Sequence, residues 1–257
     1  MSRKTESSHQ AEIVAQFSRQ AIPFAQVPGH YDAMQILIEM SGVDAADEVL
    51  DVACGPGLVA CEFARQARHV TGLDITPAMI DQARQRQREQ NLSNLEWTVG
   101  PAVPLPYAGA SFSLVITRYS FHHLLEPQRA LAEMIRVCRP GGRVLVADVA
   151  VAPEKSAAYD RLEILRDPSH THALTRDEFA ELFARSGLVD CRQGGYGVPI
   201  ELESQLKASF PKPGDEAVVR AMVTEDVGRD RLGIQARQED GQVVYTVPIA
   251  IYVGRKV

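Results

Sequence analysis

Three stretches of the 257-residue chain carry side chains that can bind a charged ligand or move a proton. The first is Asp51-Val52-Ala53-Cys54-Gly55-Pro56-Gly57, a carboxylate just ahead of paired glycines, followed by Asp74 at the end of the next apolar run. The second is TRYSFHHLLEP at 117–127, with Arg118, Tyr119, His122 and His123. The third is RDPSHTH at 166–172, with His170 and His172. Glycines between a strand and a helix let a ligand reach free backbone N–H groups. A carboxylate can accept two hydroxyls, and histidine exchanges a proton near neutrality.

Gly55-x-Gly57-x-x-Ala60 alone also fits a loose dinucleotide loop, so the glycines do not discriminate. Asp51 does. A carboxylate there would meet a pyrophosphate with unfavourable Coulomb energy. The same charge favours a ligand carrying an ammonium and a sulfonium, which describes S-adenosylmethionine (SAM). Asp74 then suits a ribose, both hydroxyls bonding one carboxylate.

The elements that must position these groups alternate. Strand-like runs at 47–52, 69–73, 95–99, 113–117 and 143–149 are separated by helical periodicity at 58–68, 77–90 and 127–137. That alternation indicates a parallel sheet with helices on both faces. Helices are also expected at 11–20 and 31–41, with Pro23, Pro28 and Gly29 breaking the link. Thr175-Arg176-Asp177-Glu178 has the form of a capping box opening a helix through Arg185. A strand is expected at 188–193 and mainly helix over 200–230, then a hairpin of 232–238 with 243–253 around Asp240-Gly241. The whole chain reads as one domain, with the N-terminal helices within 11–41 and an inserted helical cap at about 151–231.

A net charge of −6 without a basic block argues against nucleic acid as the main partner. The four cysteines lack metal or disulfide-scaffold spacing, and residues 1–10 lack the apolar core of a signal peptide. The expectation is a cytoplasmic protein with reduced thiols, no bound metal and no stable membrane insertion, either a monomer or a homodimer.

Together, LDVACGPG (50–57), GLDITPAMI (72–80), LPYAGASFSLV (105–115), RYSFHHL (118–124) and RVCRPGGRVLVAD (136–148) resemble the class I SAM-dependent methyltransferases. The resemblance is to their ubiquinone/menaquinone C-methyltransferase-like group, over about residues 40–150. It implies a Rossmann-like α/β fold with a seven-stranded, mostly parallel sheet whose last, antiparallel strand is 245–254. It implies that Asp51, Ala53 and Gly55, with Gly57, hold the methionine end of SAM. Asp74 would hold the ribose, with Ile75 and Met79 on the adenine and the Ala102 N–H near it. The family's usual Gly-Asp-Ala is Gly100-Pro101-Ala102 here, so the adenine loses one acceptor side chain. The Phe-Asp before the fourth strand is Phe112-Ser113.

Methyl transfer from a sulfonium is an in-line displacement, so aligning the partners and excluding water matter most. A base is required only where the nucleophile carries a proton of high pKa. The expected reaction is methylation at carbon or oxygen of a small-molecule acceptor, with S-adenosyl-L-homocysteine (SAH) as product. Arg118, Tyr119, His123 and His170 are the candidate catalytic and acceptor-contacting residues, Arg118 doubling as a cofactor contact. Arg118 could equally pair with Asp148 or Glu126, and Arg166 with Asp167. Adjacent residues at a helix start should not face the same way, so only one histidine, His123, is expected at the reaction and His122 is read as structural. The alternative is a catalytically inactive SAM-binding regulatory or assembly protein.

Overall fold

The computed structural model describes residues 5–26 and 33–257. Helices α1 (Glu6–Gln26) and α2 (Met34–Ser41) precede an alternating core. That core runs β1 (Glu48–Val52), α3 (Leu58–Ala64), β2 (His69–Asp74), α4 (Pro77–Glu89), β3 (Leu95–Val99), β4 (Phe112–Arg118), α5 (Pro127–Val137) and β5 (Cys138–Val149). Helices α6 (Ser156–Arg166) and α7 (Arg176–Ala184) follow, then β6 (Val189–Glu201), α8 (Leu202–Ser209), α9 (Asp215–Asp226), β7 (Arg237–Glu239) and β8 (Gln242–Arg255).

The sheet order is β3-β2-β1-β4-β5-β8-β6, with β7 pairing onto β8. β1 to β5 are parallel, and β8 is antiparallel to β5 and β6. The expected antiparallel strand is therefore present, and the three-residue β7 raises the count to eight.

Both faces of the sheet are buried, which explains the near-continuous apolar runs. Side chains alternate between faces: Val49, Leu114, Ile116 and Leu145 belong to one core, while Leu50, Val115, Val144 and Val146 belong to the other. The first core is covered by α2, α3, α6, α8 and α9 and the second by α5 and α7. Successive residues of β1 and β4 thus brace against opposite layers, and the strand ends are held from both sides.

Several boundaries differ from expectation. The polar ESSHQ opening of α1 has no apolar period, so only 11–20 was visible; Thr5 Oγ1 accepts the Ser8 N–H at its start. The helix passes position 23, while Pro28, Gly29 and the start of 31–41 lie outside the described residues. α3 stops at Ala64, where the Asn94 amide donates to the Ala64 and Ala67 carbonyls that the helix leaves open. The region 151–231 is not wholly helical, because the edge strand β6 runs through it, carried by backbone pairing where its GGYG sequence gives no alternation. The capping box at Thr175–Glu178 is formed, and Asp240 and Gly241, both with positive φ, make the tight turn before β8.

Candidate active site

The strand order reverses at β1 and β4, and a cavity of about 620 Å³ opens there at the C-terminal ends of the strands. This is where ligands of doubly wound sheets bind. The loop after β1 forms its floor. Ala53 and Gly55 both take left-handed φ, and a side chain at Gly55 would meet nothing within 4 Å. Its backbone is thus open to the cavity. Gly57 is different: it is not among the lining residues, and a Cβ there would sit 2.8 Å from Trp97 and 2.9 Å from Ala83. It serves packing of the loop against α4 and β3, correcting its assignment to ligand binding.

Asp51 lines the cavity with about 1% of its surface exposed, and its Oδ2 has no hydrogen-bond partner among the described residues. Burial pushes its pKa up to about 8, against the opposing pull of the Arg118 charge and the Ala60 N–H. An unpaired buried carboxylate oxygen is costly unless something pairs with it. Asp74 sits across the floor. Its Oδ2 accepts the Gly55 N–H at 2.9 Å and its Oδ1 the Thr76 N–H at 2.8 Å, so it clamps two loops together. Each oxygen keeps a second lone pair for a ligand hydroxyl. Burial raises its pKa, opposed by those two N–H groups. Ile75, Met79, Pro101 and Ala102 complete this side.

The end of β4 makes the opposite wall. Thr117 Oγ1 donates to the Val52 carbonyl at 2.7 Å and lies 2.6 Å from the Ser120 hydroxyl, which knits β4 to β1. Tyr119 follows with φ near 59°, a rare conformation for a bulky residue. Its hydroxyl meets that of Tyr196 at 2.8 Å, and the Arg118 guanidinium lies 4.5 Å from its ring centre. Both residues line the cavity. Of the pairings weighed for Arg118, Asp148 engages His122 and Glu126 engages Arg129.

A single 3₁₀ turn, Phe121–His123, then presents the two histidines. Asp148 organises it: Oδ2 accepts the Phe121 N–H at 2.6 Å, and Oδ1 accepts His122 Nδ1–H at 2.5 Å and the Val149 N–H at 2.7 Å. Burial pulls the His122 pKa down, but the Asp148 carboxylate outweighs it and raises the pKa overall. His123 goes the other way. Burial, reinforced by the neighbouring His122 charge, lowers its pKa and keeps the ring neutral. Ser169 spends its one proton on Asp167 Oδ1 at 2.6 Å, so His123 must donate to Ser169 Oγ from Nδ1, at 3.1 Å. The His123 Nε2 lone pair is left without a partner among the described residues.

The roof is α1. Phe17 packs edge-on to His123 at 5.0 Å, and His9 Nε2 donates to the His123 carbonyl at 2.6 Å. A second chamber of about 100 Å³ lies beyond Phe17, Tyr119 and His123, which line both spaces. His122 lines this chamber too. Of the two, only His123 also lines the larger cavity; the tight turn tilts the rings 46° apart with centroids at 4.2 Å, so His122 turns to the smaller chamber alone.

His170 is not among the residues lining either space. It is about 3% exposed, with Nε2 at 2.8 Å from Asp160. Asp160 also engages His172, so the loop is clamped to α6 and does not offer His170 to a substrate. Arg166 pairs with Glu163, not Asp167. Sequence reasoning missed Phe17, His9, Tyr159 and Tyr245 as wall residues, because they belong to elements distant in sequence. The paired Asp148 was visible only as a strand-end carboxylate.

A β3-β2-β1-β4-β5 parallel core closed by an antiparallel β8, with its cavity at the β1/β4 reversal, is the architecture of the class I methyltransferases. Residues 50–146 match the methyltransferase domain family. The uncharacterised methyltransferase YcgJ of Bacillus subtilis is 26% identical over 226 residues, 86% of this chain and 89% of that protein. The crystal structure of YcgJ superposes with a TM-score of 0.80, covering 88% of this chain and 99% of that one at 23% identity. The ubiquinone/menaquinone biosynthesis C-methyltransferase UbiE of Roseobacter denitrificans is 30% identical over 155 residues, and the match spans 53% of this chain and 62% of UbiE. Over residues 50–146 the chain is thus similar to the methyltransferase domain family, and its fold is that of the YcgJ structure. Among the described residues no helix is long and apolar enough to cross a membrane.

Proposed function

We propose that the chain binds SAM in the larger cavity and transfers its methyl group to carbon or oxygen of a small-molecule acceptor reaching in from the second chamber. The observation that carries this is Asp51 Oδ2, a buried carboxylate oxygen left unpaired beside an open glycine loop. An anionic ligand would raise its cost, whereas the ammonium of SAM satisfies it. The UbiE relative, by name a C-methyltransferase, favours carbon.

SAM supplies an electrophilic methyl group and a thioether leaving group when bound. Asp51 and the backbone of Ala53 and Gly55 would hold its methionine end. Asp74 would hold the ribose, and Ile75, Met79 and Ala102 the adenine. Pro101 offers the adenine no acceptor side chain, so apolar packing carries more of that contact. Tyr119 and Arg118 stand at the reacting edge, the Tyr119–Tyr196 pair fixing the phenol that separates the two spaces.

His123 offers a neutral Nε2 lone pair toward that edge. With its pKa held low, it accepts a hydrogen bond at neutral pH but drives proton transfer only weakly. It therefore orients an acceptor whose proton is already acidic.

Thermal shift with SAM, SAH and NAD tests the donor assignment. At a hundred times Kd, the true ligand adds about 2.7 kcal/mol of stability. Stabilisation by NAD and not by SAM overturns the reading. His123→Ala should leave SAH affinity within about twofold and lower turnover. Unchanged turnover would make His123 a packing residue alone.

A further inference from the structure

The second chamber has an unusual balance of polar groups. Every charged group bordering it is already engaged: Glu163 receives Arg166 Nε and Nη2, Asp167 accepts from Ser169 and Gln20, and His122 is paired with Asp148. Its remaining free polar ends carry no such pairing. Tyr159 and Tyr245 are about 3% and 4% exposed, yet neither hydroxyl has a hydrogen-bond partner among the described residues. Both residues line the chamber, and neither oxygen is among the fully enclosed unpartnered atoms. The Gln205 amide, half-buried at the same chamber, is likewise without a partner. His122 Nε2 completes the set, its Nδ1 being spent on Asp148. Between these ends the wall is aliphatic, from Val149, Val198, Ile200, Val247 and Ile249.

Both tyrosine oxygens keep accessible surface in the chamber, so a ligand that fills it must bond them or leave them desolvated and unpaired. Two hydroxyls converging with an amide and an imidazole on one apolar chamber mark a place where a ligand supplies the missing bonds. The ligand's charge follows from the same list. A carboxylate or phosphate would find no spare cation, since Arg166 is held by Glu163. An ammonium would find no spare anion, since Glu163, Asp167 and Asp148 are all engaged. Burial raises the phenol pKa values, so both tyrosines remain O–H donors.

Building on the methyl-transfer reading above, we propose that this chamber is the acceptor-specificity subsite, which recognises an uncharged, hydroxyl- or carbonyl-bearing head through Tyr159, Tyr245, Gln205 and His122. The chamber is small, about 100 Å³, so it takes a head no larger than a single ring. The rest of the acceptor extends past Tyr119 and His123 toward the larger cavity. Selectivity arises because a head lacking oxygen leaves the two hydroxyls unpaired, and a charged head meets no counter-ion.

The test is ligand-observed NMR titration of the ligand-free protein with phenol, benzene, benzoate and benzylamine, fragments of near-equal shape. Phenol should bind tightest. Tyr159→Phe and Tyr245→Phe should each weaken phenol about three- to tenfold while leaving benzene within twofold. A purely structural role for the hydroxyls would shift both ligands together and lower Tm. Gln205→Leu, at a half-buried position, provides the same comparison if the tyrosine variants fold poorly. Benzoate or benzylamine binding as tightly as phenol overturns the proposal, and so does an absence of phenol binding. An unchanged phenol-to-benzene ratio in the variants overturns it as well. Thermal shift with SAH on the same samples separates the two readings. Failure of SAH with hydroxyl-dependent phenol binding removes the donor assignment and keeps the chamber, and the reverse removes the chamber alone.

Discussion

The floor of the larger cavity and the wall of the second chamber are built on opposite principles. The floor comes from one short piece of chain, β1 through the start of α4, and leaves a buried carboxylate oxygen unpaired. The wall comes from α1, the 3₁₀ turn, α6, β6, α8 and β8, and its charged groups are all engaged by side chains of the protein. The floor leaves a bond unmade, which under the proposed function a cationic ligand completes, whereas the wall spends its charged groups on holding distant elements together. Variants on the two sides should therefore fail differently, the floor in ligand affinity and the wall in stability.

The largest effect belongs to the wall. Arg166→Met strands Glu163, about 5% exposed, as an unpaired buried anion and should cost about 3–5 kcal/mol of stability. Urea denaturation measures this, and SAH affinity in the folded fraction should stay within about twofold. Loss of SAH affinity without loss of stability would dissolve the contrast.

Asp51→Asn should do the reverse, lowering SAH affinity by about 2–3 kcal/mol in calorimetry because a charge-assisted bond is lost. Its stability effect has a definite sign with pH. The folded pKa, about 8, lies above the unfolded value of 3.8. The folded chain therefore binds more protons across this window, and stability falls as pH rises through it. The Tm of the ligand-free wild type should drop relative to Asp51→Asn between pH 4 and 8, and saturating SAH should abolish that drop.

Smaller effects probe the clamp behind the wall. Thr175→Ala removes one half of the α7 capping box and should cost about 1 kcal/mol in the same denaturation assay. His172 is held by Asp160 and then Glu178, which raise its pKa to about 9. Its contribution is complete below pH 6.5 and is lost as pH rises from 6.5 to 9. The side chain is 41% exposed, so the difference between wild type and His172→Gln should be no more than about 0.5 kcal/mol.

The same contrast governs what could be read from residue order. Asp51, Gly55 and Asp74 were legible because the floor is a contiguous motif whose chemistry survives without knowledge of distant partners. Gly57 lies in that motif too, yet its glycine answers to Trp97, forty residues on. The wall was mostly illegible. Nothing local to Tyr159 or Tyr245 says that β8 brings their rings to one chamber, and nothing local to His170 says that Asp160 will hold it. The histidine pair fell between these cases. Its position after β4 was legible, but the orientation of both rings depends on the 3₁₀ turn that Asp148 pins.

Phe17, Tyr119 and His123 form part of both spaces. If the two spaces take donor and acceptor as proposed, each ligand packs against side chains the other also needs, so the two sites share a common energetic term. Linkage then requires reciprocity: whatever factor the methyl donor applies to acceptor affinity, the acceptor returns to donor affinity unchanged. Under the proposed function the partition between the chambers gives the protein a two-ligand thermodynamic cycle in which these three shared residues are the direct point of coupling.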